Sequence, residues 1–196
     1  YSLPLKVTTV TAFSDFLEDF IEYKNLDNVI LVGNSLGGHI GLIYSKKNPN
    51  FVKSLILTGS SGLYENSMGE SYPKRENYEY IKRKTQEVFY NSKIATKKIV
   101  DEVFDTVNNR EKLVRTLAIA KSAIRHNMAK DLPKINIKTC IIWGKNDIVT
   151  PPEVAEEFNT LLPNSDLYWI DKCGHAPMME HPEKFNTILM EWLTEN

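Results

Sequence analysis

A serine set between glycines, a histidine and an aspartate are the residues of this chain whose types suit nucleophilic chemistry. Ser35 lies in LVGNSLGGH (31–39), with the spacing Gly33-x-Ser35-x-Gly37. A sharp strand-to-helix turn puts such a serine in a backbone conformation that is costly for a residue with a Cβ. Glycines at 33 and 37 are then expected to keep the neighbours small enough for the turn to close. The hydroxyl stands clear of the turn. The start of the following helix offers free N–H groups to a developing oxyanion, and the Leu36 N–H is the natural donor. A phosphate-binding turn is the rival reading of the same glycines. It lacks the basic residue and spacing of a P-loop, and there is no G-x-G-x-x-G.

A serine hydroxyl is a poor nucleophile without a base. Of the four histidines, His175 in DKCGHAPMMEHP (171–182) follows a strand-like run and precedes a helix-like one. That placement can carry an imidazole over the same sheet edge as Ser35. His39 falls one turn into the helix after the serine and is expected to pack or to face a lid. His126 falls in a helical stretch, and His181 precedes a proline at a helix start. An orienting carboxylate completes the set. Asp147 in IIWGKNDIVTPP (141–152) follows another apolar run and is the choice. Asp171 stands too close to His175 along the loop, and Asp166 precedes its strand. Asp147 is also an ordinary turn residue by composition.

These residues need a scaffold, and the pattern supplies one. Residues 8–26 carry Phe13, Phe16, Leu17, Phe20 and Ile21 on one helical face. NVILVG (28–33) is a continuous apolar run, as expected of a strand buried on both faces of a parallel sheet. A helix follows over 36–49, then strands over 52–59, 138–144 and 165–171, with helices over 151–163 and 181–196. Strands separated by helices predict an α/β class fold, a mostly parallel sheet with helices on both faces. Residues 64–130 break this rhythm. They hold helix-like charged stretches with Tyr78, Ile81, Phe89, Ile99, Val103 and Leu117 on faces that need a packing partner. The organisation expected is a first core segment (1–63), a helical cap (64–130) placed where open α/β sheets bind ligands, and a second core segment (131–196).

The order Ser35, Asp147, His175, with LVGNSLGGH, IIWGKNDIVTPP and CGHAPMMEHPEKFN around them, resembles the α/β-hydrolase superfamily in its cap-bearing branch. The resemblance spans almost the whole chain. It implies a serine hydrolase working through an acyl-enzyme, with no metal and no organic cofactor. Ser rather than Asp at position 35 argues against the aspartate-dependent dehalogenase and epoxide-hydrolase chemistries of related families. GNSLGGH is similar to the corresponding turn of meta-cleavage carbon–carbon bond hydrolases. Those usually carry an aromatic residue after the histidine, whereas this chain has Ala176. The departure favours a carboxylic-ester hydrolase, with carbon–carbon hydrolysis as the alternative and a non-catalytic small-molecule receptor as a third reading of the same fold. Members of the superfamily also carry strands, and a loop with the second oxyanion donor, ahead of the part represented here. A protein of only these residues is therefore expected to fold poorly or be nearly inactive.

Substrate contacts are least legible. Arg115 and Arg125 in the cap are candidates for meeting a substrate carboxylate, as solvated helix charges are their simpler reading. Trp143 is either a core residue or a stacking surface. Met178, with Met179, either lines the pocket or packs beneath the last helix. The 196 residues carry a net charge of −1, so nothing electrostatic calls for nucleic acid or an anionic membrane as partner. A small acyl substrate is the partner expected. No stretch reads as a bilayer span or a signal peptide. Cys140 and Cys173 are too few for a disulfide scaffold, and the setting expected is reducing and cytoplasmic.

Overall fold

The computed structural model describes residues 7–66 and 74–196. The first six residues, and residues 67–73 at the start of the expected cap, lie outside the described residues. Chain order is α1 (Val10–Tyr23), β1 (Val29–Asn34), α2 (Leu36–Lys47), β2 (Val52–Thr58), α3 (Tyr78–Glu87), α4 (Lys97–Asn108), α5 (Arg110–Arg125), β3 (Lys138–Gly144), α6 (Pro152–Leu161), β4 (Ser165–Ile170), α7 (Pro177–Glu180) and α8 (Pro182–Glu195).

The four strands form one parallel sheet in the order β1-β2-β3-β4. Parallel pairing puts all four C-terminal ends on one rim, so the segments that follow the strands converge there. Side chains alternate between the faces. Leu55, Leu57, Ile141 and Trp143 enter one core with Ile21, Leu42 and Phe158 of the helices. Ile56, Cys140 and Ile142 enter the other with Phe185 and Trp192 of α8. β2 and β3 are thus apolar along their length because both faces are covered.

β1 departs from the expectation of burial on both faces. Ile30 and Val32 are 41% and 57% exposed. Among the described residues β1 pairs only with β2, so it is an edge strand with one uncovered face. α1 shows the same departure. Its buried positions are Val10, Ser14 and Ile21, with Leu17 packed beside them, while Phe16 and Phe20 are exposed. The apolar stripe of this helix is wider than the surface it meets.

Between β2 and β3 the chain runs through α3, α4 and α5. Tyr78 packs edge-to-face on Phe104, with ring centroids 5.3 Å apart, and its hydroxyl donates to Asp101. Asn77, Thr96 and Asn109 cap the three helices with side-chain oxygens. Because β2 ends on the C-terminal rim, this insertion leaves the sheet there, whereas β3, parallel to β2, starts at the opposite rim. Met128 N donates to Gly62 O at 2.8 Å, which joins its exit to its entrance.

Candidate active site

Ser35 joins β1 to α2 with φ 53° and ψ −119°. Positive φ at a residue with a Cβ is strained and must be held by its surroundings. Four backbone bonds hold it. Ser35 N donates to Thr58 O, while Ser35 O accepts from Gly38 N, His39 N and Ser61 N, all at 3.0–3.3 Å. Gly33 has no room for a Cβ, which would fall against the backbone of Gly37 and Gly38. Gly38 is equally closed, against the Ser60 side chain. Gly37 corrects the expectation: its Cβ would meet nothing within 4 Å. The residues that must be small are 33 and 38. Leu36 opens α2, so its N–H has no acceptor within the helix. Among the described residues Ser35 Oγ makes no hydrogen bond to His175 in this structure.

Asp147 follows β3 and His175 follows β4, and the structure brings the two together. His175 Nδ1 lies 2.9 Å from Asp147 Oδ2. With the carboxylate as acceptor, the ring proton sits on Nδ1, and Nε2 on the far side of the imidazole keeps its lone pair. Asp147 is almost wholly buried and its oxygens are satisfied. Oδ1 accepts from Val149 N at 2.8 Å and Thr150 N at 3.0 Å, and Oδ2 accepts from the Thr150 hydroxyl at 2.8 Å. Asp171 is exposed, and Asp166 serves Trp192 Nε1 and Lys138 instead.

One side chain links the serine turn to the histidine. Asn34, the residue before Ser35, donates through Nδ2 to Thr58 O and to His175 O, both at 3.0 Å. Gly59, with φ +49°, lies under the imidazole, where a Cβ would stand 2.8 Å from Nδ1. Sequence reasoning missed Asn34, Gly59 and Thr150. Only Thr150 left a signal, three residues after the aspartate in a turn. Glu65, also missed, is half-buried beyond β2. Burial pushes its carboxyl up from the ordinary range, and the nearby His175 pulls the other way. Asn66 next to it donates through N and Nδ2 to Val149 O and Ile148 O at 2.7 and 2.8 Å, seating this segment on the Asp147 loop.

His39 turns away from this centre. It is fully buried, with Nε2 3.0 Å from Nδ1 of His126 and Nδ1 3.3 Å from the Ser61 hydroxyl. Burial, with His126 beside it, lowers its pKa to about 4. His181 Nε2 lies 2.9 Å from Lys172 O.

The proposed substrate contacts fare differently. Trp143 is a core residue: it is fully buried, its Nε1 donates to Thr150 O at 2.9 Å, and its ring packs on Phe158. Stacking on a substrate is corrected to support of the Asp147 turn from below. Met178 packs on the Phe185–Trp192 core beneath α8. Arg115 and Arg125 line open grooves between α5 and the segment that starts α1. Neither groove includes Ser35, Asp147 or His175. Burial pushes the Cys140 and Cys173 thiols up to about 12, so neither is a competing nucleophile. Among the described residues no group of three or more His, Cys, Asp or Glu side chains could hold a metal ion.

A family model for the alpha/beta hydrolase fold matches residues 2–182. The chain is an α/β hydrolase. This α/β hydrolase is 55% identical to MGS-MChE2, an alpha/beta hydrolase enzyme from a lagoon-sediment metagenome of Mar Chica, Morocco. That match covers 100% of this chain and 74% of the other, with a TM-score of 0.78. It is 29% identical to a 2-hydroxy-6-oxo-6-(2'-aminophenyl)hexa-2,4-dienoic acid hydrolase of Metapseudomonas resinovorans, over 91% of this chain and 64% of that protein. Its fold is also that of an esterase from Exiguobacterium antarcticum, at 23% identity, a TM-score of 0.81 and coverage of 98% and 76%. The α/β hydrolase spans about two thirds of the length of the curated relatives it matches. None of its described helices is long and apolar enough to cross a membrane.

Proposed function

We propose that this chain carries the reacting groups of a serine hydrolase that cleaves a small carboxylic ester through an acyl-enzyme. Ser35 is the nucleophile, His175 the general base and Asp147 the group that orients it. The observation that carries the reading is the Asp147–His175 hydrogen bond of 2.9 Å, at a loop tied by Asn34 to the strained serine turn.

In this mechanism the Ser35 oxygen attacks the ester carbonyl as its proton passes to His175 Nε2. Asp147 stabilises the imidazolium that results. The carbonyl oxygen gains charge and takes a hydrogen bond from the Leu36 N–H. The imidazolium then gives its proton to the departing alcohol, leaving the acyl group on Ser35. A water molecule, deprotonated by the same nitrogen, attacks the acyl carbon, and the proton returns to Ser35 as the acid leaves. No metal and no organic cofactor takes part. The insertion over 64–130 acts as a cap on this centre and shapes substrate choice. The partner is the small acyl substrate; nucleic acid and membrane are not partners, and the setting is cytoplasmic.

Carbon–carbon hydrolysis is the second reading, favoured by the dienoic acid hydrolase among the relatives. Glu65 favours the ester. A carboxylate near His175 repels a substrate that carries its own, by about 1.7 kcal/mol at ~10 Å and an effective dielectric near 20. Glu65→Gln is expected to raise kcat/KM roughly tenfold for a hemisuccinate ester relative to a neutral butyrate ester, after screening by salt. An unchanged ratio removes Glu65 as a selector. Ser35→Ala tests the main reading. Ester turnover is expected to fall by about three orders of magnitude or more with the fold intact, and turnover like that of the unsubstituted protein contradicts it.

A further inference from the structure

The histidine loop is fastened to the inserted helices by a carboxylate that the proposed chemistry leaves unused. Glu180 closes α7 and is half-buried. Its Oε1 accepts from Gly174 N at 2.6 Å, and its Oε2 accepts from Asn91 N at 2.9 Å. Gly174 is the residue before His175, whereas Asn91 belongs to the connection between α3 and α4. A second bond crosses the same seam, from His175 N to Val88 O at 2.9 Å. The segments touch closely. A Cβ at Gly174 would stand 2.5 Å from Val88 O and 2.9 Å from Tyr90 N. One carboxylate thus holds backbone donors from two separate parts of the chain, with one oxygen on each.

We infer that Glu180 is a positioning residue that couples the seating of the insertion to the alignment of His175. The inference rests on the reading of His175 as the base. The insertion cannot lift from the rim at residues 88–91 without releasing Asn91 from Glu180 and Val88 from His175. The first release frees the carboxylate, and the second frees the backbone of the histidine itself. The imidazole is held at its Nδ1 side by Asp147 and at its backbone by Asn34 and Val88. Loosening the loop moves Nε2 relative to Ser35, and displacements of about 1 Å at a reacting pair cost up to ~100-fold in rate.

Glu180→Gln separates this role from a merely structural one. The amide keeps the size of the carboxylate but has one acceptor oxygen, so its NH2 group faces one of the two backbone donors. The expected result is a fall in kcat between roughly 10- and 100-fold, larger than any change in KM, because the displacement falls on Nε2 and Ser35. Hydrogen exchange at the Gly174 and Asn91 amides is expected to quicken together, while amides of β2 and β3 keep their protection. Glu180→Asp is one carbon too short to span both donors and is expected to behave the same way. An unchanged kcat, a loss confined to KM, or faster exchange at Gly174 without Asn91 overturns the coupling. Failure of the base reading looks different: His175→Gln then leaves turnover unchanged, whatever Glu180→Gln does, and the inference falls with it.

Discussion

The nucleophile side and the base side of the candidate site are held by different means. Around Ser35 the hold is steric and backbone-borne: a positive φ, four main-chain hydrogen bonds, and two glycines with no room for a side chain. Around His175 the hold is polar: a buried aspartate with four donors, a threonine hydroxyl and an asparagine bridge. The difference follows from what each part must do. A strained turn keeps its shape only where competing conformations are blocked. A ring that must carry a proton needs donors and acceptors in fixed directions, and buried ones must be satisfied. The nucleophile side should therefore fail when volume is added, and the base side when a polar atom is removed.

The largest effect is expected from volume at the serine turn. In Gly33→Ala the new methyl meets backbone, which cannot rotate out of the way, so α2 must shift. A loss of about 3 kcal/mol or more in urea unfolding is expected. Gly37→Ala meets open space and should change stability by less than about 1 kcal/mol, in the stabilising direction for a helical glycine. Equal losses at the two positions would break the steric account.

Acid is the next probe, because the nucleophile side has one polar network of its own, at His39. Its pKa is lowered to about 4 in the folded protein, against 6.5 for an unperturbed ring. Between pH 6.5 and about 4 the unfolded chain takes up a proton there that the folded chain refuses. Stability at this residue is thus complete above the upper limit and is lost as pH falls through the window, by up to about 3 kcal/mol. Thermal unfolding of His39→Gln should show a shallower acid limb than the unsubstituted protein. A parallel limb would assign the acid sensitivity elsewhere.

Thr150→Val gives the smallest effect and the most local one. Shape is kept while the hydroxyl that donates to Asp147 Oδ2 is lost. Stability should fall by about 1–2 kcal/mol and ester turnover by roughly tenfold, since Asp147 then holds the ring with one fewer constraint. Turnover unaffected by this change would show that the polar hold on the base side is redundant.

The sequence makes the rim readable and leaves its joints hidden. β2 and β3 appear as apolar runs because both faces are covered, and their predicted limits differ from the observed ones by a residue at most. Asp147 and His175 are legible because each follows such a run, and parallel pairing brings strand ends together. β1 has the same composition but a different fate, since Ile30 and Val32 carry no mark of an uncovered face. Phe16 and Phe20 mislead in the same way: periodicity reports a stripe, not what lies against it. Gly33 and Gly37 look alike in sequence, and only the path of α2 tells the closed position from the open one. Trp143 beside the aspartate turn reads equally as surface or core until its indole N–H finds Thr150 O. Asn34, Glu65 and Glu180 act across loops distant in sequence, so no local pattern announces them. The four-residue helix α7 is too short to show a period.

Serine labelling tests the central claim most directly. The protein is treated with a fluorophosphonate and the modified residue mapped by mass spectrometry, alongside the His175→Gln variant. Phosphonylation of Ser35, slowed by roughly 100-fold or more when the imidazole is removed, is the result expected. A folded protein whose Ser35 stays unmodified, or reacts equally fast without His175, contradicts the account and leaves a binding protein on a hydrolase scaffold.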